Sequence, residues 1–126
     1  DVVACYGFFY HITDHYRLLT LLHHLRPKLI IIDSEFMTAE VPVVVFGREK
    51  VDNPLNSIAR VPGQNMAMVG TPSRRWIWSA ALTLGYQIEW VDWGRLPHDQ
   101  RAGVRDYFRK GDKRRGTVAL RPISPQ

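Results

Sequence analysis

The stretch from Asp1 to Phe36, DVVACYGFFYHITDHYRLLTLLHHLRPKLIIIDSEF, changes its hydrophobic period twice. Val2 to Tyr6 is a short apolar run with β-branched members, and Gly7 follows where a strand stops and the backbone turns. Thr13 or Asp14 is placed to cap a helix in which Leu18, Leu22 and Leu25 recur at helical spacing until Pro27 ends it. Lys28 to Ile32 is then a continuous apolar run bounded by Asp33, Ser34 and Glu35, the pattern of a strand covered on both faces. Strand, helix and strand joined by connections of this length make a parallel β-α-β unit.

Outward from that unit the period weakens. In residues 36–70, VPVVVFG reads as an edge strand interrupted by Pro42 and REKVDNPLNSIARVPGQN as loop and turn, so this segment is expected to be an insertion on the sheet's rim. Thr71 and Pro72 supply an N-cap and a first-turn proline for a helix with Ile77, Ala81 and Leu84 on one face, closed by Gly85. Gln87 to Trp93 alternates as a strand, and Pro97 to Arg109 reads as a helix with Val104, Tyr107 and Phe108 inward. The turn GDKRRG leads to a last strand, Thr117 to Leu120, and a proline-containing tail. The expected fold is α/β, one domain over residues 1–126. Four strands are few for such a sheet, so the first is expected to pair with something outside this sequence. Asp1 leads straight into that strand, as in a chain that begins inside a longer one.

The 126 residues can bury a core but exclude a two-domain enzyme. Hydrophobic residues at 45% and charged residues at 23% exclude a disordered chain. The formal charge of +5 favours acidic partners without identifying one. Cys5 stands alone, which excludes an intramolecular disulfide and a multi-cysteine metal site. No apolar run approaches the roughly 20 residues of a spanning helix, and no signal pattern opens the sequence. No membrane partner is expected, and the cytoplasm is the expected setting.

The first 36 residues resemble the fourth strand, following helix and fifth strand of class I S-adenosylmethionine-dependent methyltransferases. The shared pattern is an Asp-Val-Val strand, a glycine, Tyr-His, an aspartate, a leucine-rich helix and an apolar strand. VGTPSRRWIWSAALTLGYQIEWVDW is similar to that family's Pro-Ser helix, closing glycine and sixth strand, with the small-molecule and RNA-modifying branch the closest in flavour. The resemblance implies a partial Rossmann-like sheet, the equivalents of strands four to seven of the order 3-2-1-4-5-7-6, the last strand antiparallel. It also implies S-adenosylmethionine as cofactor and a segment over 36–70 that helps form the acceptor pocket. The family's glycine-rich turn follows its first strand, outside this match, and no Gly-x-Gly pattern occurs here.

In an open α/β sheet ligands bind outside the carboxyl ends of the strands, which brings GFFYHITD and DSEF to one crevice. Tyr10, His11, Asp14, Asp33 and Glu35 are expected there, a near-neutral base with carboxylates and a phenol. The resemblance implies Tyr6, Gly7 and Phe8 for cofactor binding. His11 and Glu35 are the candidate catalytic residues, and Tyr10, Asp33, Arg48 and Asn53 the candidate substrate contacts. An ordinary loop histidine, a helix cap at Asp14, solvated strand-end carboxylates and a surface salt bridge at Arg48 explain the same residues without a site. No metal is expected; the alternative ligand set is His11, His15, Asp33 and Glu35, in a metal-assisted hydrolase. Lys110, Lys113, Arg114 and Arg115 read as a solvated turn, with phosphate attraction the sharper alternative. The expected partners are a small-molecule or RNA acceptor and a second copy of the chain, paired through the first strand's edge as a homodimer.

Overall fold

The computed structural model of the chain describes residues 1–55 and 61–124. Strand β1 (Val2–Tyr6) leads through a 3₁₀ turn at Phe9–His11 into helix α1 (His15–His24), and strand β2 (Leu29–Met37) returns beside β1. Strands β3 (Val44–Lys50) and β4 (Met66–Pro72) precede helix α2 (Arg74–Thr83) and strand β5 (Tyr86–Trp90). Three 3₁₀ segments then lead to strand β6 (Lys113–Pro122). The main sheet has the order β1-β2-β6-β5, and β3 and β4 form a separate antiparallel pair. β1 is parallel to β2, while β6 is antiparallel to both β2 and β5. The carboxyl ends of β1, β2 and β5 therefore share one rim.

Alternation along β2 builds the core. Ile30, Ile32 and Phe36 face one way and pack with Phe9, Leu19 of α1, and Ile77, Ala80 and Ala81 of α2, together with Val118 and Leu120 of β6. Each large apolar side chain so buried stabilises the fold by about 1.5–3 kcal/mol. Asp33 and Glu35 point to the opposite face, where both helices are absent. Asp14 caps α1 by accepting from the Arg17 N–H at 3.3 Å, as its position in the sequence implies.

Several expectations are corrected. β2 does not stop at Ile32: it continues through Met37 because β6 pairs with it, Asp33 opposite Thr117 and Glu35 opposite Arg115. Residues 36–70 hold the end of β2 and most of an antiparallel strand pair, not only loop; residues 56–60 of the expected loop, and 125–126 of the tail, lie outside the described residues. Thr71 and Pro72 belong to β4, and Ser73 is the cap of α2, accepting from Trp76 N at 3.0 Å. Proline is tolerated at a strand's end, and the same serine hydroxyl accepts from Val43 N and donates to Val41 O. Pro97–Arg109 is not one helix. It breaks into 3₁₀ turns at His98–Gln100 and Ala102–Phe108, the latter kinked at Val104. Arg114 and Arg115 lie on β6 instead of in a solvated turn.

The strand pair is pinned to α1 at Gly70, which donates from its N–H to Ile12 O at 2.9 Å and accepts from His15 Nε2 at 3.0 Å. Burial lowers the His15 pKa, so the ring is a neutral donor, wedged edge-on against Phe9 and Trp76. A Cβ at Gly70 would lie 2.8 Å from His15 Cε1 and 3.0 Å from Phe46 and Val44. Gly70→Ala is therefore expected to destabilise the protein by about 1–3 kcal/mol, while Gly103→Ala, with open space around it, changes stability by less than about 0.5 kcal/mol. Urea unfolding of the two variants checks this; equal midpoints would contradict the close fit.

Candidate functional site on the carboxyl rim

The rim is organised around Asp33, which is buried on the face away from the helices. Its carboxylate accepts three side-chain bonds: from Arg115 Nε at 2.6 Å, Tyr107 OH at 2.6 Å and Thr117 Oγ1 at 2.5 Å. Its own carbonyl accepts from Gly7 N at 2.9 Å, which turns the chain out of β1 with Gly7 at φ +66. Trp93 stacks on Tyr107 with ring centroids 4.1 Å apart and donates from Nε1 to Thr117 Oγ1 at 3.1 Å. Burial and then Asp33 push the Tyr107 phenol up, keeping it a proton donor. Burial opposes the charge on Arg115, but Asp33 more than offsets that and the net shift is upward.

Of the residues expected to converge, Tyr10 and Asp33 meet at Arg115. The Arg115 guanidinium carbon lies 6.0 Å from the ring centres of both Tyr10 and Tyr107. Beside them runs a cleft of about 460 Å³ lined by residues 102–107 and Arg115. Glu35 leaves this group for Arg109, 3.5 Å away, which also holds Asp106. Asp14 is engaged as the α1 cap. His11 stacks on Tyr10 at 4.2 Å and turns its buried Nδ1 toward Glu49 of β3, at 3.8 Å and without a hydrogen bond among the described residues.

Arg48 is exposed on β3, one residue from Glu49 and so on the opposite face of that strand from His11. Asn53 closes a local turn by accepting from Leu55 N at 3.0 Å. The alternative metal ligands are separated by their own bonds, His15 to Gly70 and Asp33 to Arg115. Among the described residues no three His, Cys, Asp or Glu side chains form a metal-holding group.

Tyr6 and Phe8 are exposed at the end of β1, which is an edge strand, and Gly7 sits between them. A Cβ at Gly7 would make only ordinary contact with Arg115, at 3.6 Å. Glu49 and Thr117 were not legible as site residues in the sequence, and Arg115 was read there only as part of a basic turn. The β2–β6 register sets Thr117 opposite Asp33 and Arg115 opposite Glu35, while Glu49 comes from β3. No helix among the described residues is long and apolar enough to cross a membrane. No protein-family model matches the sequence, and no curated protein matches it at a significant level.

Tyr107→Phe removes one of the three donors to Asp33 and is expected to cost about 1–2 kcal/mol. It should also speed proteolysis between Trp93 and Phe108, because that segment is tied to the sheet there. An unchanged urea midpoint and unchanged cleavage rate would remove Tyr107 from the anchor.

Proposed function

We propose that this chain is the acceptor-side half of a class I S-adenosylmethionine-dependent methyltransferase domain acting on a small molecule or RNA. One observation carries the reading. The order β1-β2-β6-β5, with β6 alone reversed, coincides with the order 4-5-7-6 that closes the family's sheet. The resemblance rests on residue patterns along β1, α1 and β2 and along α2 and β5. Those patterns carry no information about which strands are neighbours, so the coincidence supports the reading independently.

S-adenosylmethionine, when bound, supplies a methyl group on a sulfonium. The protein's task is to orient the acceptor and remove its proton where the acceptor is an OH or NH. In this reading Tyr6, Gly7 and Phe8 contact the cofactor, while Tyr10 and the β3–β4 pair line the acceptor side. His11 takes the acceptor's proton. Its Nδ1 lies 3.8 Å from a Glu49 carboxylate oxygen, while Glu35, the other candidate base, is paired with Arg109. Asp33 accepts from Gly7 through its backbone carbonyl and reaches Tyr10 through Arg115.

The unpaired edge of β1 favours a second reading, a homodimer in which two copies join edge to edge. Both readings are read from one nitrogen-labelled NMR sample. Titration with S-adenosylhomocysteine is expected to shift the amides of Tyr6–Phe8, Tyr10 and His11 saturably. Absence of shifts, or shifts confined elsewhere, would contradict cofactor binding by this chain. Translational diffusion that does not change on dilution and matches a monomer would exclude the homodimer.

A further inference from the structure

A second cleft, of about 370 Å³, opens on the same rim where α2 begins. Its walls are Arg74, Arg75 and Trp78 of α2, Trp90 at the end of β5, Arg114 of β6 and the Thr38–Glu40 strip that leaves β2. The Arg74 guanidinium lies over Trp90, 4.4 Å from the ring centre, and Arg75 lies 5.3 Å from that of Trp78. Gly116 makes room for the first stack: a Cβ there would come within 3.1 Å of both Arg74 Nη2 and Trp90. The two guanidiniums are thus held against aromatic rings.

What they lack is an anion. Among the described residues none of Arg74, Arg75 or Arg114 has a carboxylate within 4.0 Å; the five ion pairs present all involve other groups. Arg74 Nε is buried with no hydrogen-bond partner. Arg74 and Arg75 also occupy the first turn of α2, where the helix dipole is positive and where no acidic residue offsets it. Burial and the neighbouring Arg114 both disfavour the charge on Arg74. Like charges gathered with a buried unpaired donor are costly to the free protein, a cost that a bound oxyanion removes. Glu40 is the one carboxylate on the cleft wall, and it is exposed. Three cations against one anion leave a local charge of +2.

We infer that this cleft binds the phosphate monoester group of a small molecule. A dianion matches the residual charge, and its oxygens match several guanidinium forks better than one carboxylate does. The arginines converge on a concave space of small-ligand size instead of tracking along a surface, which favours a single phosphate over a nucleic-acid backbone. The assignment rests on these arginines and tryptophans and stands apart from the methyltransferase reading.

Phenyl phosphate titrated into the whole chain, followed by calorimetry and tryptophan fluorescence, tests it. The expected result is saturable one-to-one binding with a fluorescence change, since Trp90 and Trp78 carry two of the arginines. Arg114→Gln and Arg75→Gln should each weaken binding by about tenfold or more. Arg95→Gln, at a fully solvated arginine paired with Asp92 elsewhere, should leave it unchanged. Arg75 is exposed, so its replacement tests the cleft even if Arg114→Gln impairs folding. Binding of benzoate as tight as that of phenyl phosphate, equal losses in all three variants, no saturation at millimolar phenyl phosphate, or binding only to an oligoribonucleotide would each overturn the assignment.

Discussion

A carboxylate in the middle of a sheet must be answered by donors, and the geometry of the rim follows from how Asp33 is answered. An unpaired buried charge costs several kcal/mol, and here three donors at 2.5–2.6 Å meet it from two different segments. Arg115 and Thr117 come from β6, so the pairing holds that strand's register against β2. Tyr107 comes from the 3₁₀ stretch, which has little else to bury, so the same pairing ties it to the sheet. The backbone of Asp33 turns the chain at Gly7. Asp33 therefore bears through its backbone on where β1 ends, and through its side chain on where β6 crosses and where the 93–108 segment lies.

The rim then carries two guanidinium environments with opposite fates. Arg115 is neutralised in place and acts as a structural strut between Asp33 and the two tyrosines. On the other side of the sheet with α2, Arg74 and Arg75 lie over tryptophan rings and Arg114 lines the same cleft, none with a carboxylate within 4.0 Å among the described residues. The alternation of β6 produces this difference: Arg114 and Arg115 are neighbours in the chain and point to opposite faces. With Asp33 engaged by Arg115, the two arginines at the start of α2 and Arg114 of β6 make a surface suited to an incoming oxyanion.

The β-α-β unit was legible because Val2–Tyr6, the leucines of α1 and the run ending at Ile32 carry clean periodicities, and the cap at Asp14 marked the helix start. The length of β2 was not, since Asp33, Ser34 and Glu35 are turn-forming residues in isolation and become strand only when β6 supplies ladder bonds and donors. Ser73 was hidden behind a more conspicuous Thr-Pro pair. The stretch 97–109 looked helical because its apolar spacing is local, whereas its conformation follows from distant anchors, Tyr107 on Asp33 and Trp93 on Thr117. Of the site, Tyr10 and Asp33 were placed correctly near one another by the rim rule alone. Glu49, the carboxylate 3.8 Å from His11, was not among the residues expected there, because it lies on β3, far from His11 in the sequence.

The Asp33–Arg115 pair acts as one unit holding the rim together. A double-mutant cycle on urea unfolding, using Asp33→Asn, Arg115→Gln and the two combined, measures it most directly. The double variant is expected to be more stable than the sum of the single losses implies, with a coupling of about 1.5–3 kcal/mol. Additive losses, agreeing within about 0.5 kcal/mol, would contradict it and return Asp33 to the role of an ordinary strand residue.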